Sequence, residues 1–253
     1  MSKAKRGATD LSGIIAVDKP SGMTSHDVVD AIRRLTNEGR IGHAGTLDPM
    51  ATGLLLVCIG PTTRLSELIM SGDKTYEARI TFGAATDTDD SQGSIIARAP
   101  LPNGLDTVEF AQQVLKGFLG EQLQMPPLFS AIKKDGKKAY ESARQGKSVD
   151  LEPRLITVHS LELIETSVDF WDIEAVVSKG TYIRALARDI GEAVGSKAHL
   201  TSLRRVRCGS ISIEQAYTLK ELETRNIRNL FLDPQADFGI PEESIPKGLR
   251  NVI

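Results

Sequence analysis

The chain has 253 residues, 40% hydrophobic, 25% charged and 5% aromatic, with 22 Gly, 11 Pro and a formal net charge of −2. That balance excludes a disordered or collagen-like chain and is enough for one large domain with a sizeable core. The longest apolar run, Leu54–Ile59, is far short of the ~20 residues that span a bilayer, and no apolar stretch follows Lys3, Lys5 and Arg6, so neither a membrane span nor a secretory leader is expected.

Gly13–Val17 reads as a short buried strand, closed by Asp18-Lys19-Pro20 and a turn at Ser21-Gly22. Ser25 is expected to cap a helix carrying Val28, Val29, Ile32 and Leu35 at helical spacing. Gly39–Pro49 reads as a Gly-punctuated loop before the strand Leu54–Ile59, and Thr62 or Thr63 as the cap of a short helix through Met70. Lys74–Phe82 alternates, placing Tyr76, Ala78, Ile80 and Phe82 on one buried face. Asp106–Leu119 is helical by pattern, Leu155–Leu163 and Val168–Val177 pair as antiparallel strands, and a helix follows over Thr181–Val194. The predicted class is α/β of the α+β type, a mixed and mainly antiparallel sheet flanked by helices and loops. Cys58 and Cys208 are the only cysteines and are far apart, which points to a reducing, cytoplasmic setting without disulfides.

Two basic segments stand out in this net acidic chain. Residues 133–154 hold seven basic residues, Lys133 and Lys137 among them, against four acidic ones, and Arg204, Arg205 and Arg207 form a second cluster. Together they suggest a phosphate-contacting surface for RNA. No phosphate loop, HExxH or GxSxG motif is present. Asp87–Ser91 begins like a calcium loop, but Gln92 and Arg98 occupy the positions that require Gly and Glu. The four histidines lack metal-ligand spacing, so neither a metal nor a cofactor is expected. What remains is the loop around Asp48, whose carboxylate precedes Pro49 and is held in extended geometry.

At that loop the chain becomes recognisable. Gly42-His43-Ala44-Gly45-Thr46-Leu47-Asp48-Pro49-Met50-Ala51-Thr52-Gly53 resembles the GHTGTLDPxATG signature of the TruB family of tRNA pseudouridine synthases, with Ala44 where Thr is usual. Val17–Ser25 is similar to that family's first motif, and Lys74-Thr75-Tyr76 and Thr86-Asp87-Thr88-Asp89 to its next segments. Pro126–Ala131 with Gly136–Glu141 resembles its RNA-gripping insertion, and Lys179–Arg184 and Ala198–Arg205 its last two motifs.

The resemblance implies a pseudouridine synthase fold and an isomerase that needs no cofactor. It places Asp48 as the catalytic carboxylate, Arg184 as the guanidinium favouring its charged form, and Tyr76 as the stacking platform and proton relay. It implies that His43 helps extrude the base, that Tyr182 and Leu203 line its pocket, and that Lys19 and Pro20 shape the adjoining loop. Lys133, Lys137 and Arg204 are expected at the RNA. The implied substrate is the uridine at position 55 in the T-arm stem-loop of tRNA, acted on by a cytoplasmic monomer without membrane or metal partners. The resemblance divides the chain into a flexible stretch 1–12, a catalytic domain over 13–225 with an insertion at about 124–154, and a tail over 226–253 too short for a complete C-terminal RNA-binding domain. The alternatives are a non-catalytic tRNA-binding or RNA-chaperone protein, and a dyskerin-like, guide-RNA-dependent synthase.

Overall fold

The computed structural model describes residues 9–129, 133–134, 137–138 and 151–245. In chain order the elements are β1 (Gly13–Lys19), α1 (Ser25–Thr36), β2 (Ile41–Ala44), β3 (Thr52–Ile59), α2 (Ser66–Ile69), β4 (Lys74–Phe82), β5 (Ala84–Thr86), β6 (Ile95–Arg98), α3 (Val108–Lys116), β7 (Gly120–Gln124), β8 (Lys133–Lys134), β9 (Lys137–Lys138), β10 (Arg154–Thr166), β11 (Phe170–Val177), α4 (Ile183–Ala193), β12 (Ala198–Cys208), β13 (Ile211–Ser212), β14 (Tyr217–Thr218) and α5 (Leu219–Thr224). The chain divides into two compact units, residues 1–75 with 204–253 and residues 76–203.

In the first unit β1 runs antiparallel to β3 from Gly13 opposite Ile59 to Lys19 opposite Gly53. The other edge of β3 is shared. β2 covers Leu56–Ile59, while β12 pairs in parallel through Arg204 opposite Thr52 and Arg205 opposite Gly53. Glycine is required at 53, where φ is +98° and a Cβ would stand 2.3 Å from the Arg205 carbonyl oxygen. The Gly39–Pro49 stretch is therefore not all loop: its first part is a strand, formed because β3 offers a free edge, not because Gly42 and His43 favour one.

Thr24, one residue earlier than expected, caps α1. Its hydroxyl accepts from the Asp27 N–H at 3.0 Å, and the Asp27 carboxylate accepts from the Thr24 N–H at 2.8 Å, a reciprocal capping box. Thr62 lies inside a 3₁₀ turn over Gly60–Leu65, where its hydroxyl donates to Gly13 and accepts from the Ile59 N–H. The core of this unit gathers Ile14, Leu54, Leu56 and Leu65 with Ile240 and Ile245. Part of the stretch read as a tail thus packs into the core, and the Leu232 N–H donates to the Ile14 carbonyl at 2.8 Å.

In the second unit the strand order is β12-β4-β11-β10-β7. β10 and β11 form the expected antiparallel pair, from Val158 opposite Val177 to Thr166 opposite Trp171. Tyr76, Ala78, Ile80 and Phe82 lie on the buried face of β4, as the alternation predicts. Trp171 is fully buried, donates Nε1–H to the Leu105 carbonyl at 2.7 Å, and meets Phe82 edge to face at 4.8 Å. The helix expected over Thr181–Val194 is α4, with Ile183, Leu186, Ala187 and Ile190 on its buried face.

Candidate active site

Asp48 lies in the first unit, in the loop that leaves β2 after Ala44 and enters β3 at Thr52. Neighbouring side chains hold the backbone of this loop. The buried Ser25 hydroxyl donates to the Leu47 carbonyl at 3.0 Å and accepts from the Leu47 N–H at 2.8 Å. The Pro49 carbonyl accepts from the Gly22 N–H at 2.8 Å and from Lys19 Nζ at 3.3 Å. Ser21 Oγ donates to Met50, and Arg205 donates to Gly45 and to Leu54. Leu47, fixed at both backbone groups, and Pro49, fixed at its carbonyl, leave Asp48 little freedom.

Lys19 is 0% exposed, and its ammonium also donates to the Pro20 and Met23 carbonyls, at 2.9 and 2.7 Å. Burial lowers its pKa to about 8, against the opposing pull of the Asp48 charge. Lys19 thus ties three loop carbonyls together and supplies a positive charge beside Asp48. His43 lies on β2. Burial lowers its pKa, and the charge of Arg205 adds to that, so its imidazole is neutral at pH 7. Its Nδ1 is buried with no hydrogen-bond partner among the described residues.

In the basic cluster Arg204–Arg207 the expectation for Arg205 needs correction. Arg205 is 1% exposed, because its side chain turns into the first unit instead of towards solvent. Arg204 forms a fork onto Asp18, at 2.8 and 3.1 Å.

The second unit carries Tyr76, Tyr182, Arg184 and Leu203. Arg184 is 4% exposed at the start of α4. Its guanidinium donates to the Thr88 carbonyl at 2.8 Å and the Phe129 carbonyl at 3.0 Å, and Nε lies 3.6 Å from Asp90 Oδ2. Asp90 is buried and held by Thr88 Oγ1 at 2.6 Å and by the Gln92 N–H at 2.9 Å. One turn along α4, Arg188 pairs with Asp89 at 3.0 Å and donates to Met125 at 2.8 Å. Burial raises the Asp89 pKa, with Arg188 and then Arg184 opposing. Tyr182 and the buried Gln124 exchange hydrogen bonds at 2.9 and 3.1 Å through the Tyr182 backbone. Tyr76 and Leu203 are buried.

Sequence reasoning missed Asp90, Arg188 and Gln124. The signal for Asp90 was present in the acid-rich run after Thr86, which begins like a calcium loop and does not show the buried arginine set against it. β8 and β9 pair Lys133 with Lys138 and Lys134 with Lys137 through their backbones. The side chains of Lys133 and Lys137, and most of the basic insertion, lie outside the described residues. Among the described residues no helix is long and apolar enough to cross a membrane, and no group of His, Cys, Asp and Glu is placed to hold a metal ion.

A family model described as TruB family pseudouridylate synthase (N terminal domain) matches residues 33–183. One described as tRNA pseudouridylate synthase B C-terminal domain matches residues 184–234. The two meet inside the span 13–225 that the motifs suggest as one catalytic domain. A protein of Azoarcus sp. (strain BH72) named tRNA pseudouridine synthase B is 46% identical over 213 residues, 84% of this chain and 70% of its own length. A Bordetella parapertussis protein of the same name is 45% identical over 222 residues, 87% of this chain and 90% of its own. Among solved structures, a chain of a Cbf5-Nop10-Gar1 complex superposes with a TM-score of 0.65 at 29% identity. That match covers 95% of this chain but only 59% of the other, so the assembly-forming branch is the more distant likeness.

Proposed function

Because the chain belongs to the TruB family of pseudouridylate synthases, we propose that it isomerises the uridine at position 55 of tRNA to pseudouridine. The reaction breaks the bond from C1′ to N1, turns the base over and joins C1′ to C5. The hydrogen on C5 leaves and N1 gains one, so the product has the mass of the substrate. Such a reaction needs an ionised carboxylate at the sugar or base, a group to take the C5 proton, and a site that admits a nucleotide drawn out of its stack. On this reading Asp48 takes the first role and Tyr76 the second, with Arg184 the guanidinium that the resemblance assigns to the same reaction. His43, neutral and with a buried nitrogen still to satisfy, suits contact with the extruded nucleotide.

The observation that carries this reading is the fixing of the Asp48 loop at Gly45, Leu47, Pro49 and Leu54, as a preorganised carboxylate requires. The reading takes the enzyme as a cytoplasmic monomer that grips the T-arm stem-loop through Lys133, Lys137 and the rest of its basic insertion. Nucleoside analysis of unmodified tRNA after incubation with the protein tests it. Pseudouridine is expected from the parent transcript and none from one carrying cytidine at the target position. Absence of product from the parent transcript, or product from the cytidine transcript, would overturn it.

A further inference from the structure

Arg205 has no part in the chemistry outlined above, yet it is one of the largest fully buried side chains among the described residues. A buried guanidinium is costly unless its donors are used, and phosphate contact is closed to a group at 1% exposure. Two of its donors go to backbone carbonyls. Nε donates to Leu54 at 2.8 Å, and Nη2 donates to Gly45 at 3.0 Å. These two residues bracket Asp48. The topology explains the reach: along one edge of β3, β12 covers Thr52 and Gly53 while β2 covers Leu56–Ile59, and the carbonyl of Leu54 falls in the gap between them. The loop is also pressed close to the guanidinium. Gly45 has φ of +90°, and a Cβ built there would stand 3.4 Å from Arg205 Nη1.

We infer that Arg205 is a positioning residue for the reaction, its guanidinium tying together the two ends of the loop that presents Asp48. The inference rests on Asp48 being the catalytic carboxylate. Only a planar fork spans both carbonyls; a lysine at this position would bring the same charge to a single point. A displacement of about 1 Å at a reacting group can cost ~10²-fold in rate, so loss of the bridge is expected to act on turnover and not on RNA affinity.

The test compares Arg205→Lys and Arg205→Met with the parent in single-turnover rate, tRNA Kd and the NMR titration of His43. Arg205→Lys keeps the charge and loses the fork. It is expected to fold, to bind tRNA like the parent and to turn over about 100-fold more slowly. Arg205→Met is expected to show the same slow turnover and, in addition, a His43 titration moved to higher pH, because burial still lowers it but the charge that adds to burial is gone. A folded Arg205→Lys protein with parental turnover would overturn the proposal. So would a loss that appears in Kd with the rate unchanged. Failure of Arg205→Lys to fold would make the role structural and overturn it equally. Asp48→Asn, measured alongside, separates two failures. Turnover by that variant removes Asp48 from the chemistry and the proposal with it, whereas an inert Asp48→Asn beside a fully active Arg205→Lys overturns the positioning role alone.

Discussion

Ser25 and Leu47, 22 positions apart, exchange two hydrogen bonds: the serine hydroxyl accepts from the Leu47 N–H at 2.8 Å and donates to the Leu47 carbonyl at 3.0 Å. Because Thr24 caps α1, the hydroxyl of Ser25 is free to fix the residue immediately before Asp48. Ser25→Ala leaves both backbone groups of Leu47 buried without this partner, a loss of about 1–3 kcal/mol for each unsatisfied group. The expected outcome is a lower denaturation midpoint together with slower single turnover at unchanged tRNA affinity. Parental values for both would show that the loop holds itself.

The same pair of residues shows what the sequence conceals. Ser25 and Thr24 are both good caps, and only the reciprocal partner Asp27 decides between them. The strand Lys74–Phe82, the β10–β11 pair and α4 were legible because burial on one face leaves a period that can be counted. β2 was not, since its pairing is supplied by β3 and Gly42 and His43 do not themselves favour a strand. Arg204 and Arg205 look alike in sequence, yet alternation along β12 sends one to Asp18 near the surface and the other into the interior. For the site, the resemblance supplied Asp48, Tyr76 and Arg184, but no motif revealed that Arg184 leans on Asp90.

Asp90→Asn tests that contact. Breaking a buried ion pair by neutralising one partner typically costs about 3–5 kcal/mol, and here it leaves Arg184 without the carboxylate 3.6 Å from its Nε. Reduced stability to urea and markedly slower turnover are expected together. A variant as active and as stable as the parent would remove Asp90 from the support of Arg184.

Lys19 gives a pH signature. Its folded-state pKa is about 8 against 10.5 when unburied, so between these values the unfolded chain holds a proton that the folded chain has shed. Stability contributed by Lys19 therefore rises with pH across that window and is least below pH 8. Lys19→Met cannot titrate, so the stability of the parent relative to this variant should grow by up to about 3 kcal/mol from the lower to the upper limit. Urea denaturation of both proteins at the two limits measures it. A constant difference would contradict the burial of a charged ammonium.

The ring and hydroxyl of Tyr76 are expected to separate. Tyr76→Phe keeps the aromatic face and should bind tRNA like the parent, whereas Tyr76→Leu should lose part of a stacking interaction worth ~1–3 kcal/mol. Both should turn over slowly, since a positioned proton acceptor contributes about 10²–10⁴-fold. Filter binding and single-turnover rates decide. Equal affinity for Phe and Leu would return Tyr76 to the packed face of β4, and parental turnover by Phe would exclude the hydroxyl as base.

Asp48 is expected to carry the isomerisation as an ionised carboxylate and not merely as a polar group. The measurement is pseudouridine formed at the target uridine in a single turnover of unmodified tRNA by the parent and by Asp48→Asn, with tRNA Kd determined on the same preparations. Product is expected from the parent and none from the variant, with closely similar affinities. Substantial product from Asp48→Asn, with deamidation of the asparagine excluded by mass spectrometry, would contradict it.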